Sequence, residues 1–289
     1  MATLDISTER PDHDELPSLV AELQSASQVV AHGRALGESH RAIGTAPGRP
    51  RALLSRLARS AEALEEAYAL LAGSTDAGRL SSEEWLRDNH HVARDQVREI
   101  RVDLPTRFYL ELPRLASGPY EGYPRVYHLA RELVGPTDGR LDAEAITRFV
   151  DAYQESVSLT IGEVWAVGSM LRLALVERLH ELAAPVGAAR RDRTRAHDLS
   201  ARLDRALKDP AHRDAQLRRV QLPDGPLSPA FIIELLQWLR DQPPEVVPIW
   251  TWLGDQLDRH GGPEEIIRRE SQREAAAQLA ISNVIGSMP

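Results

Sequence analysis

The chain alternates apolar and polar positions at the helical period through most of its length. Between residues 51 and 72, "RALLSRLARSAEALEEAYALLA" keeps leucine and alanine at three- and four-residue spacing, which predicts an amphipathic helix with Gly73 as its stop. Ser81 or Ser82 is placed to cap a second helix reaching about residue 102, and Pro105 ends it. Pro105, Pro113, Pro119 and Pro124 make 103–124 a long, largely irregular loop. A short helix is expected over 125–134, closed by "GPTDG", and another from a cap at Asp142 to about residue 154. "TIGE" at 160–163 fits the capping box, with a hydroxyl at the N-cap and a carboxylate three residues on. That helix should reach Ala184, where Pro185 and Gly187 predict a kink or break. An arginine-rich helix over 188–207 follows, then one opened by Ser228 and Pro229, then two more over 245–259 and 263–284.

Towards the N-terminus, 15–36 carries a helical pattern, "GTAPGRP" at 44–50 reads as a linker, and the first dozen residues read as a disordered tail. Period-two runs of β-branched residues, Asn-Gly turns and fixed-period repeats do not occur. The predicted fold is all-α: a bundle of about ten helices with one long proline- and tyrosine-rich loop. It divides into a flexible tail with one helix over 1–49 and a helical domain over 50–289, with a sub-boundary between 185 and 225.

On a wheel of residues 85–100, Trp85, Leu86, Val92, Ala93, Val97 and Ile100 share one face. Asn89 and Gln96 fall in the middle of it. A buried amide without partners costs roughly 1–3 kcal/mol, so both are expected to be hydrogen-bonded inside the domain. His90 sits on a border of that face, His91 on the polar side. Adjacent positions on a helix point about 100° apart, so the two cannot chelate one ion. Trp165, Met170, Leu171 and Leu175 are expected in the core, with Glu163 as the capping carboxylate.

Composition narrows the chemistry. A formal net charge of −8 argues against non-specific nucleic-acid binding, which needs a basic surface. The absence of cysteine excludes disulfides, thiolate zinc sites and thiol nucleophiles, and fits a reducing, cytoplasmic setting. Lys208 is the only lysine, so lysine-based covalent catalysis has one position to occupy. The N-terminus lacks the basic-then-apolar order of a signal peptide. The most apolar window, 164–176, is short and interrupted by Arg172, so no membrane span is expected.

Neither "HExxH", a Gly-rich phosphate loop nor "GxSxG" occurs. "DHD" at 12–14 matches a metal-binding Asp-x-Asp only formally, since no strand precedes it, and "QLRRV" at 216–220 lacks the tryptophan of a processive-synthase acceptor motif. The proline-rich loop and the start of the next helix hold Phe108, Tyr109, Tyr120, Tyr123 and Tyr127 in a chain that is only 5% aromatic. Aromatic faces beside Asp, Glu and Arg suit a pyranose, which offers C–H faces and a rim of hydroxyls. They equally suit a long loop that must bury itself against helices, and that structural use is favoured.

Four stretches carry a family resemblance. "DNHHVARDQVREIRVDLPTRFYLELPRLASGPYEGYPRVYHLARELVGPTDGRLD", "RFVDAYQESVSLTIGEVWAVGSMLRLALVERL", "LSPAFIIELLQWLRDQ" and "EEIIRRESQREAAAQLAISNVIGSM" resemble, in order, the N-terminal region of cyclic β-1,2-glucan synthases. The resemblance covers roughly residues 50–288. It implies the front piece of a large inner-membrane protein, joined to a UDP-glucose-dependent, metal-using glucosyltransferase and a C-terminal phosphorylase-like region. No cofactor is implied for this piece. Its expected partners are those two regions and β-1,2-glucan. Were it to contact glucan, the candidates are Asn89, His90, Arg98, Tyr109, Tyr120, Tyr123 and Arg125. Two departures stand out: His90 is followed by His91 where the family places an aromatic before the histidine, and Ser271 follows Glu270 where the family tends to read Glu-His-Gln. The competing readings are a free-standing helical interaction module and, last, a self-contained hydrolase or transferase.

Overall fold

A computed structural model describes residues 26–40, 43–44, 52–73, 80–208, 213–217, 219–242 and 246–288. The first-dozen tail, "DHD", the first part of the 15–36 helix and most of the 44–50 linker lie outside the described residues. Twelve helices are described, of which only Thr106–Glu111 (α5) and Arg213–Leu217 (α9) are shorter than seven residues. The strands are two-residue pieces, Ile43–Gly44 (β1) and Arg114–Leu115 (β2), paired antiparallel. The all-α expectation holds.

The frame is α8, Ile161–Leu207, 47 residues and about 70 Å long. It starts where the capping box predicts: Thr160 Oγ1 accepts the Glu163 N–H at 3.3 Å, and Glu163 Oε2 accepts the Thr160 N–H at 2.8 Å. The expected break at Pro185 is corrected, because α8 runs through it as one continuous helix that also takes in the predicted 188–207 helix. A proline inside a helix costs about 3 kcal/mol. Here Leu182, Ala183, Val186 and Ala189 on both sides of it are buried, so packing offsets the lost hydrogen bond and the helix continues.

Around α8 lie α2 (Ala52–Ala72), α4 (His90–Asp103), α6 (Arg125–Val134), α10 (Pro229–Arg240) and α12 (Pro263–Gly286). The larger apolar cluster takes the first part of α8, to Val186, together with the C-terminal end of α12. The smaller takes Ala196, Leu199 and Leu203 of α8, with α10 and Val247–Arg259 (α11). Helix α1 (Ala26–Ser39) lies against α7 (Ala143–Gln154) so closely that a Cβ on Gly33 or Gly37 would sit 2.6 or 2.5 Å from the carbonyl oxygens of Phe149 and Tyr153.

Three further expectations are corrected. The helix over 82–102 is two, Ser81–Asp88 (α3) and α4, broken at Asn89. The Asn89 side chain donates to the Trp85 carbonyl at 2.9 Å, and its own backbone (φ −103°, ψ 14°) leaves the helical region. Neither Ser81 nor Ser82 caps α3; Glu274 of α12 does so from across the fold, accepting the Ser82 N–H and hydroxyl, each at 2.9 Å. Met170, Leu171 and Leu175 are buried as expected, but Trp165 is 76% exposed.

Candidate functional site

The loop from 104 to 124 is less irregular than its prolines suggest. It contains α5, and then folds back on itself. The Gly122 N–H donates to the Leu115 carbonyl at 2.9 Å, the Leu115 N–H to Tyr123 at 3.1 Å, and the Arg125 N–H to Pro113 at 3.0 Å. Gly118 and Gly122, both at positive φ, make the turns. This return packs Tyr120 and Tyr123 over the first turn of α6. Tyr120 stacks on His128 at 4.2 Å and meets Tyr127 edge-on at 5.8 Å.

Beneath these rings α6 carries a polar network. Arg125, its first residue, is 1% exposed. Its Nε and Nη2 donate to the two oxygens of Glu163 at 2.5 and 2.7 Å, and Nη2 also reaches the Ser158 carbonyl at 2.8 Å. Burial opposes the charge on Arg125, but the Glu163 bond outweighs it and the guanidinium is held more firmly protonated. The Tyr127 hydroxyl donates to Glu177 at 2.6 Å, whose other oxygen accepts from Arg56 of α2 at 2.7 Å. Arg131 pairs with Glu181 at 2.8 Å.

A second branch leads to α1. Glu132 accepts from His128 at 3.2 Å and from His32 at 2.9 Å, and these bonds hold its carboxyl well below the usual range. His128 Nδ1 meets His40 Nε2 at 2.9 Å, and His40 Nδ1 meets the Tyr153 hydroxyl at 2.9 Å. Glu132 can only accept, so His128 Nε2 donates; in neutral rings His40 Nε2 then donates to His128, and Tyr153 to His40. Burial, then the nearby His128 and Arg125 charges, push the His40 pKa down to about 4. Burial also pushes the Tyr153 hydroxyl up to about 12.

The other half of the candidate set lies elsewhere. Between α2 and α4 runs an open groove of about 520 Å³, floored by Leu64, Tyr68, Ala93 and Val97 and rimmed by Glu65, Arg94 and Arg98. His90 meets Tyr68 edge-on at 4.4 Å and stands 3.4 Å from Glu65, which also takes two bonds from Arg94. Arg98, largely exposed, pairs with Asp95 at 3.1 Å. The Tyr68 hydroxyl is buried with no hydrogen-bond partner among the described residues, and so is Gln96 Oε1; the expected partner for that buried amide oxygen is missing.

The candidates therefore separate. Arg125 and Tyr109 are core residues, the latter under the Arg114 guanidinium at 5.2 Å. Tyr120 and Tyr123 are a half-buried cover on α6. Only His90 and Arg98 approach the groove, while Asn89 is spent on the α3–α4 joint. His91 and Ser271, the two departures, are exposed. Sequence reasoning missed Glu177, which falls about four turns after Glu163 on the same face of α8 and interrupts an apolar run. It also missed Tyr68, His40 and the His128–Glu132 pair, whose i, i+4 spacing is the visible signal.

Fold and geometry together define, among the described residues, a helical module with a closed polar interior and an amphipathic groove between α2 and α4. Among the described residues no cluster of three His, Asp or Glu side chains is placed to hold a metal ion, and no helix is long and apolar enough to cross a membrane. No protein-family model matches the chain. Over 225 residues, 76% of its length, it is 34% identical to the cyclic β-(1,2)-glucan synthase NdvB of Rhizobium meliloti (strain 1021). The chain is thus a relative of the cyclic β-(1,2)-glucan synthases, and it corresponds to 8% of that protein's length.

Proposed function

We propose that the chain is an accessory helical module of a cyclic β-(1,2)-glucan synthase. It packs against the UDP-glucose-dependent glucosyltransferase part, on the cytoplasmic side of the membrane, and leaves the chemistry to that part. The homology with a small fraction of a much larger synthase carries this reading. The use of the buried acids supports it: Glu163 and Glu177 spend their oxygens on Arg125, Arg56, Tyr127 and Thr160. Acids matched in this way hold helices together.

The α2–α4 groove is the place where the module would guide glucan. Its apolar floor suits the C–H face of a pyranose, and Glu65, Arg94 and Arg98 suit the hydroxyl rim. The test is titration of the chain with β-1,2-glucooligosaccharides, followed by NMR. Shifts at Tyr68, His90 and Arg98 are expected. No shift at millimolar oligosaccharide removes the glucan role and leaves the scaffold.

A further inference from the structure

The first two turns of α8 break the pattern that the rest of the helix obeys. Glu163, Ala166 and Met170 point inward and are buried. The outward positions are Ile161, Val164, Trp165 and Gly168, and the first three are 75%, 50% and 76% exposed. At 100° per residue these four fall within a sector of about 100°. A solvated helix face carries polar residues; this stretch carries none. The segments beside these turns carry exposed apolar residues too. Phe108 of α5 lies 3.8 Å from where a Cβ on Gly162 would stand, and Asp103 at the end of α4 bonds Arg172 of α8 at 2.9 Å. Val102 and Leu110, on those same segments, are exposed. Five of the nine exposed large apolar side chains among the described residues thus belong to α8's first turns and to the two elements flanking them.

Resting on the reading above, we propose that this apolar face is the one that docks, onto another polypeptide segment of the synthase. The homologous protein has 92% of its length beyond this region (100 − 8), so there is ample chain to cover it. The border favours protein over lipid. Two of its cations are matched by carboxylates, Arg172 by Asp103 and Arg107 by Glu111, and the chain is acidic overall. An anionic bilayer selects a basic rim instead. An exposed tryptophan amid aliphatic side chains, with a mixed-sign rim, is the make-up of a protein interface with a hot spot. Among the described residues a Cβ on Gly168 would meet nothing within 4 Å, so its lack of a side chain serves no packing there and leaves room for a partner's backbone.

The experiment mixes the full chain with detergent-solubilised NdvB of Rhizobium meliloti from which the homologous 225 residues have been deleted. Binding is measured for the unaltered chain, for Trp165→Glu and Val164→Asp, and for Trp250→Glu, an exposed tryptophan on α11. The first two variants should weaken binding at least tenfold with circular dichroism and melting unchanged, since both side chains are exposed, and Trp250→Glu should bind as the unaltered chain does. Binding that all variants retain overturns the face and keeps the docking role. No binding by the unaltered chain overturns both. Self-association of the chain alone, abolished by Trp165→Glu, would assign the face to a second copy. Flotation with phosphatidylglycerol vesicles, abolished by the same change, would assign it to lipid. Either of these last two results also overturns the proposal.

Discussion

Arg125→Met tests whether the charged interior is structural. The methionine keeps most of the side-chain length and removes the guanidinium. Glu163, 0% exposed, then loses the bonds at 2.5 and 2.7 Å, and the Ser158 carbonyl loses its donor. The Thr160 N–H and hydroxyl remain on Glu163, at 2.8 and 3.0 Å, so the carboxylate is left partly solvated by the helix terminus but without a counter-ion. Removing one partner of a buried pair costs about 3–5 kcal/mol. Domains of this kind are stable by only about 5–15 kcal/mol. At about 2–4 °C per kcal/mol, the melting midpoint should fall by roughly 6–20 °C. Glu163→Gln keeps the cap and strands Arg125, so it should cost a similar amount. The double variant Arg125→Met/Glu163→Gln strands no charge and should be less destabilised than the sum of the singles by about 2 kcal/mol or more. Thermal unfolding followed by circular dichroism measures all three. Additivity within about 0.5 kcal/mol, or a midpoint for Arg125→Met within 2 °C of the unaltered chain (roughly the scatter of independent sites), would refute the reasoning.

Gly37→Leu should drive α1 off α7, because its Cβ alone would lie 2.5 Å from the Tyr153 carbonyl oxygen; about 1–3 kcal/mol of overpacking is expected, read as faster proteolysis of α1 with the α8 core still resistant. His40 has a folded pKa of about 4 against an ordinary 6.5, so its stabilisation is complete above pH 6.5 and is lost as pH falls towards 4, on the order of 3 kcal/mol in all. His32, raised by its bond to Glu132, works in the opposite sense, its contribution being present at low pH and lost as pH rises. His40→Gln should therefore flatten the fall in melting temperature between pH 7 and 5, and an unaltered slope would contradict the assignment. Glu274→Ala removes the cap that α12 supplies to α3 and should cost about 0.5–2 kcal/mol, with faster amide exchange at Ser82; unchanged exchange there would show that water caps α3 instead.

The helices at 52–72, 125–134 and 143–154, and the start of α8 at Thr160, were legible because each rests on local information: period, cap and stop. Of the candidate site, the aromatic loop stood out by composition, and the burial of Tyr109 and Tyr127 agrees with the structural use favoured for it, whereas the core position of Arg125, named only as a glucan candidate, was not foreseen. The groove was not legible, since its walls come from α2 and α4, whose side-by-side placement depends on both packing against α8. Trp165 was read as core because helical period says which residues share a face and not which face has a neighbour.

Amino-acid order by itself determined the all-α class, most helix ends, the capping box and the kinship with the synthases, because these depend on interactions within a few residues or on identity position by position. Tertiary structure alone decided that α8 continues through Pro185, that Arg125 and Glu163 pair 38 positions apart, that α3 borrows its cap from Glu274, and that an apolar face of α8 is left open. Those outcomes depend on which surfaces meet once the chain has collapsed, and burial energy, acting between distant segments, overrides local preference.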